Sequence, residues 1–204
     1  MNVLLATRSA HKAGEIREIL GPNISLLTLE EAGLEWLPEE EELEPYDTFE
    51  ANALSKAQYF SRRSGLATIA DDSGLEVDAL NGAPGVRTKR FAKAEDFPGL
   101  DQDQANNQHL LSRLDGVEEQ GRGARFVCVA VLLTLGPPTE TVFRGEAEGR
   151  ILPEMVGAGG FGYDPVFFDP EVGKSFAELS LDEKNARSHR GKAFRALAKH
   201  LNSE

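Results

Sequence analysis

The segment TIADDSG, residues 68–74, follows an apolar run with two adjacent carboxylates, Asp71 and Asp72. The residues LATIA (66–70) and LEVDAL (75–80) each predict a strand, and Asp-Ser-Gly is good material for a turn between them. Successive side chains of an extended segment point to opposite faces, so the two carboxylates are not expected to enter one site. One of them is expected to face a pocket, while the other bonds to backbone or to a second element.

Apolar periodicity on both sides of this segment predicts an α/β fold with a mixed sheet. Asp47 with Glu50, and Ser180 with Glu183, have the spacing of capping boxes at helix starts. The two longest predicted strands, joined by the turn Gly136-Pro137-Pro138, predict an antiparallel ribbon beside a βαβ start. Further strands are predicted at 2–6, 23–29, 124–135 and 140–148, and helices at 11–20, 47–63, 102–114, after Ser180 and from Ser188 to about Leu201.

The composition is that of an ordinary globular protein. The 204 residues are 40% hydrophobic and 27% charged, with a net charge of −12. No internal repeat or low-complexity linker divides residues 1–204, which predicts a single domain. The acidic balance argues against broad binding of nucleic acid or anionic membranes. The single cysteine, Cys128, fits a reducing compartment, and no apolar run is long enough for a signal peptide or a membrane span, so a cytoplasmic protein is expected.

The charges are unevenly distributed along the chain. Residues 28–50 contain ten Asp or Glu and no Lys or Arg, whereas residues 184–200 contain six Lys or Arg and no acid. A solvated helix face is the usual explanation of such a run. The alternative, which the sequence leaves open, is a local site for a small polyanion on an otherwise acidic protein.

The first predicted strand runs into a polar loop, TRSAHK (7–12), that precedes a helix. Backbone N–H groups at a helix start, together with the helix dipole, favour an anion such as phosphate. Thr7 and Ser9 add hydroxyl donors, and Lys12 adds a positive charge. The loop lacks the glycines and the Lys-Ser/Thr pair of a P-loop, however, and both hydroxyls are equally well explained as helix caps.

A glycine-rich segment, GAGGFGYDPVFF (157–168), sets Phe161 and Tyr163 among glycines, with Asp164 next to them. Glycines allow close approach of the backbone and positive φ angles. A flat aromatic ring beside an acceptor suits a stacked nucleobase that offers an N–H group. The two phenylalanines that close the segment are interpreted as core residues.

The segment EKNARSHRGKAF (183–194) adds Lys184, His189 and Arg190. An arginine suits oxygen acceptors such as a keto group or a phosphate, whereas His189 alone is more often a structural hydrogen bonder. The sequence has no Cys/His spacing typical of a metal site and no nucleophile-elbow motif. The metal site that it predicts is therefore one of carboxylate oxygens, which suits Mg²⁺.

Five segments taken together resemble one family. They lie in the order found in the inosine/xanthosine triphosphate pyrophosphatases, which hydrolyse non-canonical purine triphosphates, and the resemblance covers nearly the whole chain. The segments are LLATRSAHKAGEIREIL, DTFEANALSKA, IADDSGLEVDALNGAPGV, GFGYDPVFF and EKNARSHRGKAFRAL.

The resemblance implies an elongated mixed β-sheet flanked by helices, in two lobes with a nucleotide cleft between them. It also implies a homodimer with Mg²⁺ as cofactor and a purine nucleoside triphosphate as partner, while the acidic balance of the chain predicts no nucleic acid or membrane partner. Asp72 matches the residue assigned as proton acceptor and metal ligand. The residues that match substrate contacts are Thr7, Arg8, Ser9, Ala10, His11, Lys12, Ser73, Phe161, Gly162, Tyr163, Asp164, Lys184, His189 and Arg190.

Two motifs depart from the family pattern. The phosphate loop is usually T-G-N-x-x-K, and here Arg8 and Ser9 replace Gly and Asn; phosphate binding is expected to survive, with Arg8 adding charge. The upstream metal ligand usually sits in E-[ED]-x-G-x-T-F, where this chain has EEELEPYDTF. Counting back from Thr48-Phe49 favours Glu44, and Glu42 is the alternative.

The implied reaction converts a nucleoside triphosphate and water into a monophosphate and pyrophosphate. Asp72 is expected to bind the metal and to orient or deprotonate the water, with Asp71 supporting it from the opposite face. Because Arg190 only donates hydrogen bonds, ITP, dITP and XTP, which carry a 6-oxo group, are expected to be preferred to ATP. Two alternatives are a Maf-like pyrophosphatase acting on other modified triphosphates and a nucleotide-binding module without turnover.

Overall fold

The structure, a computed structural model, describes residues 2–137 and 139–203. Within these residues the strands form one sheet of seven, in the order second, first, third, then fourth to seventh. The strands are β1 (Asn2–Leu5), β2 (Ser25–Thr28), β3 (Ala67–Val77), β4 (Gly123–Leu133), β5 (Glu140–Ile151), β6 (Phe167–Asp169) and β7 (Lys174–Ser175). β1 is parallel to β2 and β3, whereas β6 is antiparallel to β5 and β7, so the predicted mixed sheet is confirmed.

The helices follow most of the predicted positions. None of those in the described ranges is long and apolar enough to cross a membrane. The α-helices are α1 (Ala10–Leu20), α2 (Phe49–Ser64), α3 (Gln102–Arg113), α4 (Leu181–Arg187) and α5 (His189–Leu201). Short 3₁₀ helices are Pro38–Glu42, Asp78–Leu80, Gly85–Arg90, Ala94–Asp96, Glu119–Gly121 and Phe176–Glu178.

β3 is the main departure from the prediction. The sequence predicts two strands with a turn at Asp71–Gly74, but the chain continues as one strand from Ala67 to Val77. β3 lies between β1 and β4 in the sheet, and all of its residues except Glu76 are buried. A strand with a neighbour on each edge can satisfy its backbone N–H and C=O groups by hydrogen bonds within the sheet. This pairing overrides the turn propensity of Asp-Ser-Gly.

The helix caps are close to those predicted. Thr48, not Asp47, caps α2: its backbone is extended and its Oγ1 accepts a hydrogen bond from Ala51 N at 3.2 Å. The capping box of Ser180 and Glu183 is confirmed, with Ser180 N donating to the Glu183 carboxylate at 2.8 Å. β4 and β5 are neighbours in the sheet as expected, while the predicted turn between them includes Pro138, which lies outside the described residues.

The chain divides into two compact units, here called the first unit and the second unit. The first comprises the chain up to Asp72, Cys128–Gly145 and the chain from His189; the second comprises Ser73–Val127 and Glu146–Ser188. The core of the first unit includes Leu5, Ile16, Ile69 and Phe194. In the second unit the rings of Phe126, Phe167 and Phe176 pack together, with centroids 4.5 to 5.8 Å apart.

Gly145 in β5 lies against the first turns of α5. A Cβ at this position would collide with the carbonyl oxygen of His189 and would lie 2.6 Å from the backbone nitrogen of Ala193. Only a residue without a side chain permits this approach of strand to helix backbone. Gly145 therefore fixes how closely α5, with His189 and Arg190 at its start, lies to the sheet.

Candidate active site

The loop between β1 and α1 is ordered by its own hydroxyls. Ser9 Oγ accepts a hydrogen bond from Lys12 N at 3.3 Å, which confirms the capping interpretation for Ser9. Thr7 Oγ1 accepts a hydrogen bond from Ser9 N at 3.2 Å and so orders the loop without capping the helix. Ala10 and His11 are exposed first residues of α1. A cavity of about 360 Å³ is lined by residues 7–10, by the next turns of α1 and by residues 28–30.

Asp71 lies in a buried network of ions on one face of β3. Its Oδ2 atom is 2.8 Å from Lys12 Nζ and 3.9 Å from Arg190 Nε, and Arg190 also donates to Glu15 at 2.5 Å. All four side chains are more than nine-tenths buried. Burial alone would raise the pKa of Asp71, but the charges of Lys12, Arg190 and Lys56 outweigh it and hold the pKa well below the ordinary value.

Asp72 has different partners. Its Oδ2 accepts a hydrogen bond from Asn52 Nδ2 at 3.1 Å, and its Oδ1 lies 3.8 Å from Lys56 Nζ. The same ammonium group pairs with Glu44 and donates to the carbonyl oxygen of Asp71 at 2.6 Å. Burial, with a contribution from the charge of Glu44, raises the pKa of Asp72 above its ordinary value. The expectation that the two aspartates point away from each other is confirmed by these separate sets of partners.

The second acidic residue beside Asp72 is Glu44. Glu44 shares Lys56 with Asp72, whereas Glu42, the last residue of a 3₁₀ helix, is exposed. The geometry therefore favours Glu44 of the two candidates that the sequence offered.

The sequence reasoning missed Asn52 and Lys56. Both lie in the quoted segment DTFEANALSKA, four residues apart, and this spacing places them on one face of α2. Polar residues on the otherwise apolar, buried face of a helix were the available signal. Asn52 is 1% exposed and Lys56 9% exposed.

Arg8, expected at the phosphate, is engaged elsewhere. Its guanidinium group binds both carboxylate oxygens of Glu40, at 2.9 and 2.8 Å, and donates to the Leu34 carbonyl oxygen at 2.8 Å. The positive charge of Arg8 is therefore compensated by Glu40, which lies in the acidic run of residues 28–50.

In the second unit a tight glycine turn holds Asp164. The Asp164 Oδ2 atom accepts hydrogen bonds from Phe161 N at 2.8 Å and from Lys184 Nζ at 2.6 Å. Lys184 Nζ also lies 4.5 Å from the centre of the Phe161 ring. Gly160 has a φ of +71°, and a Cβ there would lie 2.8 Å from Asp164 Cγ, so glycine is required. Gly162 is tied to α3, since its carbonyl oxygen accepts from Asn107 Nδ2 at 2.8 Å.

Two aromatic assignments differ from the prediction. Tyr163 is 4% exposed, belongs to the core and donates its hydroxyl to the Thr88 carbonyl oxygen at 2.9 Å, so its ring has no open face for a base. Phe168 was expected in the core, but it is half-buried and lies under the Arg150 guanidinium at 4.2 Å. Adjacent residues of β6 point to opposite faces, so Phe167 alone is buried in the core as predicted.

The basic run at 184–200 is not one solvated face. Lys184 and Arg190 are buried in ion pairs, and Arg187 pairs with Asp169 at 2.5 Å, whereas Lys192 and Arg195 are exposed. His189 is 4% exposed at the start of α5.

The predicted site residues fall into two groups. The first unit contains Thr7, Arg8, Ser9, Ala10, His11, Lys12, Glu44, Asp72, His189 and Arg190, and the second contains Ser73, Phe161, Gly162, Tyr163, Asp164 and Lys184.

Residues 3–200 match the model of the Ham1 family, and the chain belongs to that family. A protein of Nitratidesulfovibrio vulgaris named dITP/XTP pyrophosphatase is 46% identical over 198 residues, which cover 96% of this chain and 93% of the relative. A Thermus thermophilus protein of the same name is also 46% identical over 198 residues, covering 97% of this chain and 90% of the relative.

Solved structures show the same fold. A HAM1 protein from Coxiella burnetii is 34% identical, with a TM-score of 0.85 over the whole of both chains. The Ham1 protein of Staphylococcus aureus is 32% identical, with a TM-score of 0.83 over 100% of this chain and 99% of its own.

Proposed function

We propose that this chain hydrolyses non-canonical purine nucleoside triphosphates, namely dITP, ITP and XTP, to the nucleoside monophosphate and pyrophosphate. The observation that carries the proposal is the pair of carboxylates, buried Asp72 and half-buried Glu44, that share Lys56. This pair occurs in a chain whose relatives at 46% identity are named dITP/XTP pyrophosphatase.

The residues present fit a bound Mg²⁺. Glu44 and Asp72 offer hard oxygen donors, and two carboxylates facing one ammonium leave a negative charge that a divalent cation neutralises. Residues 2–137 and 139–203 contain no group of three or more metal-binding side chains. Mg²⁺ does not need one, because it is commonly held by one or two carboxylates together with waters and substrate phosphates. When bound, the ion neutralises charge that develops on the phosphates.

The side chains of the first unit then have separate roles. Lys12 and the N–H groups at the start of α1 bind the phosphates, since phosphoryl transfer depends mainly on positioning and charge neutralisation. Asp72 orients the attacking water and accepts its proton. Asp71 lies on the face of β3 opposite to Asp72, and its ion pair with Lys12 keeps the lysine in position.

The cluster in the second unit suits the base. Phe161 offers a half-buried ring for stacking, and the Asp164 carboxylate is an acceptor for a base N–H group. Arg190, which the sequence predicted to read the 6-oxo group, lies in the first unit, where its guanidinium group pairs with Glu15 and its Nε lies 3.9 Å from Asp71 Oδ2. We further propose that residues 1–204 act as one domain, as a cytoplasmic homodimer; the buried free thiol of Cys128 supports a reducing compartment.

The test is pyrophosphate release in Mg²⁺ from ITP, dITP, XTP, GTP, ATP and a pyrimidine triphosphate. Release from the first three, with monophosphate as co-product and little from ATP, is expected. Release from the pyrimidine substrate alone would favour the Maf-like alternative, and comparable use of ATP and ITP would contradict the base selectivity. Tight binding of ITP without release would leave a nucleotide-binding module.

A further inference from the structure

Arg8, a residue that departs from the family pattern, makes a three-point contact with the acidic segment. Both oxygens of Glu40 accept from its guanidinium group, at 2.9 and 2.8 Å, and the Leu34 carbonyl oxygen accepts from its third nitrogen at 2.8 Å. A planar guanidinium bound through two parallel bonds has a fixed orientation, which a lysine or a small residue cannot reproduce.

Glu40 is the point where three parts of the first unit meet. Its side chain is only 6% exposed, and its Oε1 atom also accepts from Arg63 Nη1 of α2 at 2.9 Å and from Leu37 N at 3.2 Å. Burial raises the pKa of Glu40, but the hydrogen bonds from Arg8 and Leu37 outweigh it and lower the pKa below its ordinary value. The Glu40 carboxylate therefore remains charged in the folded protein, and both of its oxygens accept hydrogen bonds.

The contact lies close to the proposed metal ligand along the chain. Glu40 belongs to the 3₁₀ helix Pro38–Glu42, and Glu44 follows two residues after that helix. Glu44 pairs with Lys56, which lies on α2 like Arg63. The segment 34–44 is thus held at one end by Arg8 and at the other by Lys56.

We infer that Arg8 is a positioning residue, which acts through Glu40 to hold segment 34–44 against the loop at 7–12 and so keeps Glu44 beside Asp72. The inference rests on the proposed function, because it gives Glu44 its role as metal ligand. It assigns Arg8 a partner within the protein in place of the phosphate contact expected from the sequence.

The test compares Arg8→Ala, Glu40→Gln and the double variant in steady-state assays with dITP at varied Mg²⁺. Each single variant is expected to lower kcat about tenfold and to raise the Mg²⁺ concentration for half-maximal rate by a similar factor. The KM for dITP at saturating Mg²⁺ should stay within about twofold of wild type, and the double variant should be no worse than either single one. Arg8→Lys, which keeps the charge but not the fork, should fall between wild type and Arg8→Ala.

The matched control is Arg125→Ala, which removes an arginine of β4 that pairs with Glu76 at 2.8 Å. It should behave as wild type in every assay, and urea unfolding should show that all variants are folded. If Arg8 binds the triphosphate directly, Arg8→Ala will raise KM, Glu40→Gln will not, and the two changes will add. That pattern, or unchanged kinetics in both single variants, overturns the inference.

Amide hydrogen exchange separates this inference from the proposed function. Exchange in segment 34–44 should accelerate equally in Arg8→Ala and Glu40→Gln and remain at the wild-type rate in Arg125→Ala, whether or not the wild-type protein releases pyrophosphate. Unchanged exchange in both Arg8→Ala and Glu40→Gln overturns the inference. A wild-type protein that is inactive on every triphosphate overturns the proposed function.

Discussion

The two faces of β3 place neighbouring aspartates in opposite electrostatic surroundings. On one face Lys12 and Arg190 surround Asp71, and their charges hold its pKa below the ordinary value. On the other face Asp72 shares Lys56 with a second carboxylate, and burial raises its pKa. The alternation of a single strand is enough to separate these two environments.

The difference lies in the balance of charge. On the first face two cations, Lys12 and Arg190, meet two anions, Asp71 and Glu15. On the other face one ammonium group meets two carboxylates. The charges of the first cluster are balanced within the protein, whereas a cluster short of positive charge is suited to gain it from a ligand.

The largest expected effect follows from Asp72→Asn. If Asp72 is the base and a metal ligand, pyrophosphate release from dITP in Mg²⁺ should fall by about a thousandfold. The unfolding free energy without metal should be unchanged or higher, because a buried carboxylate with a raised pKa is lost. The control is urea unfolding of both proteins in EDTA, and near-full turnover by the variant would exclude Asp72 as the base.

The next effect is expected from Asp71→Asn on the balanced face. Removal of one anion leaves Lys12 and Arg190 undercompensated in the interior, so the unfolding free energy should fall by about 3 kcal/mol. Urea denaturation at pH 7 measures the loss. The control is Glu31→Gln, which changes the exposed ion pair of Glu31 with Arg17 and should be as stable as wild type. If Asp71→Asn is also as stable as wild type, the buried network contributes no net stability.

The pH dependence of stability should have opposite signs for the two residues, measured in EDTA. The folded pKa of Asp71 lies below the unfolded value of 3.8, so the advantage of wild type over Asp71→Asn is present above that pH and lost as the pH falls below it. The folded pKa of Asp72 lies above 3.8, so the unfolding free energy of Asp72→Asn should exceed that of wild type at neutral pH. That gap should close as the pH falls through the folded pKa towards 3.8.

Urea midpoints between pH 3 and pH 7 provide the measurement for both pairs. Differences from wild type that change with pH in the same direction for the two variants would contradict the contrast between the faces.

The smallest effect concerns Cys128, whose Sγ atom is 4.0 Å from Asp71 Oδ2. Burial, reinforced by the charge of Asp71, raises the pKa of the thiol to about 12. Iodoacetamide at pH 8 should therefore leave Cys128 unmodified in the native protein, and mass spectrometry should detect full alkylation once the protein is unfolded in urea. Rapid alkylation of the native protein would mean that this face of β3 opens to solvent.

Local patterns in the sequence were sufficient for several parts of the structure. The helix start at Ser9, the capping box at Ser180 and the opposite orientation of the two aspartates all depend on residues close together in the chain. Phe161 among glycines was also distinguished from the core by its local surroundings. Such features need no knowledge of tertiary partners.

Features that depend on distant partners could not be predicted. Whether the Asp-Ser-Gly segment turns or continues as a strand depends on pairing with β1 and β4. Arg8 and Glu40 are separated by 32 positions, so a positive charge in a loop that resembles a phosphate site gave no hint of its actual partner. Tyr163 lies in a motif that suggests base binding, but the position of Thr88 determines where its hydroxyl points.

Gly145 has a consequence for how the site tolerates mutation. It lies in β5, and any side chain there would collide with the backbone of α5, whose first turn carries Arg190, the partner of Glu15. A change as small as Gly145→Ala should therefore act like a change in the ion network itself. Gly145 carries no functional group, yet its substitution is expected to be as damaging as substitution of the charged residues that it keeps in place.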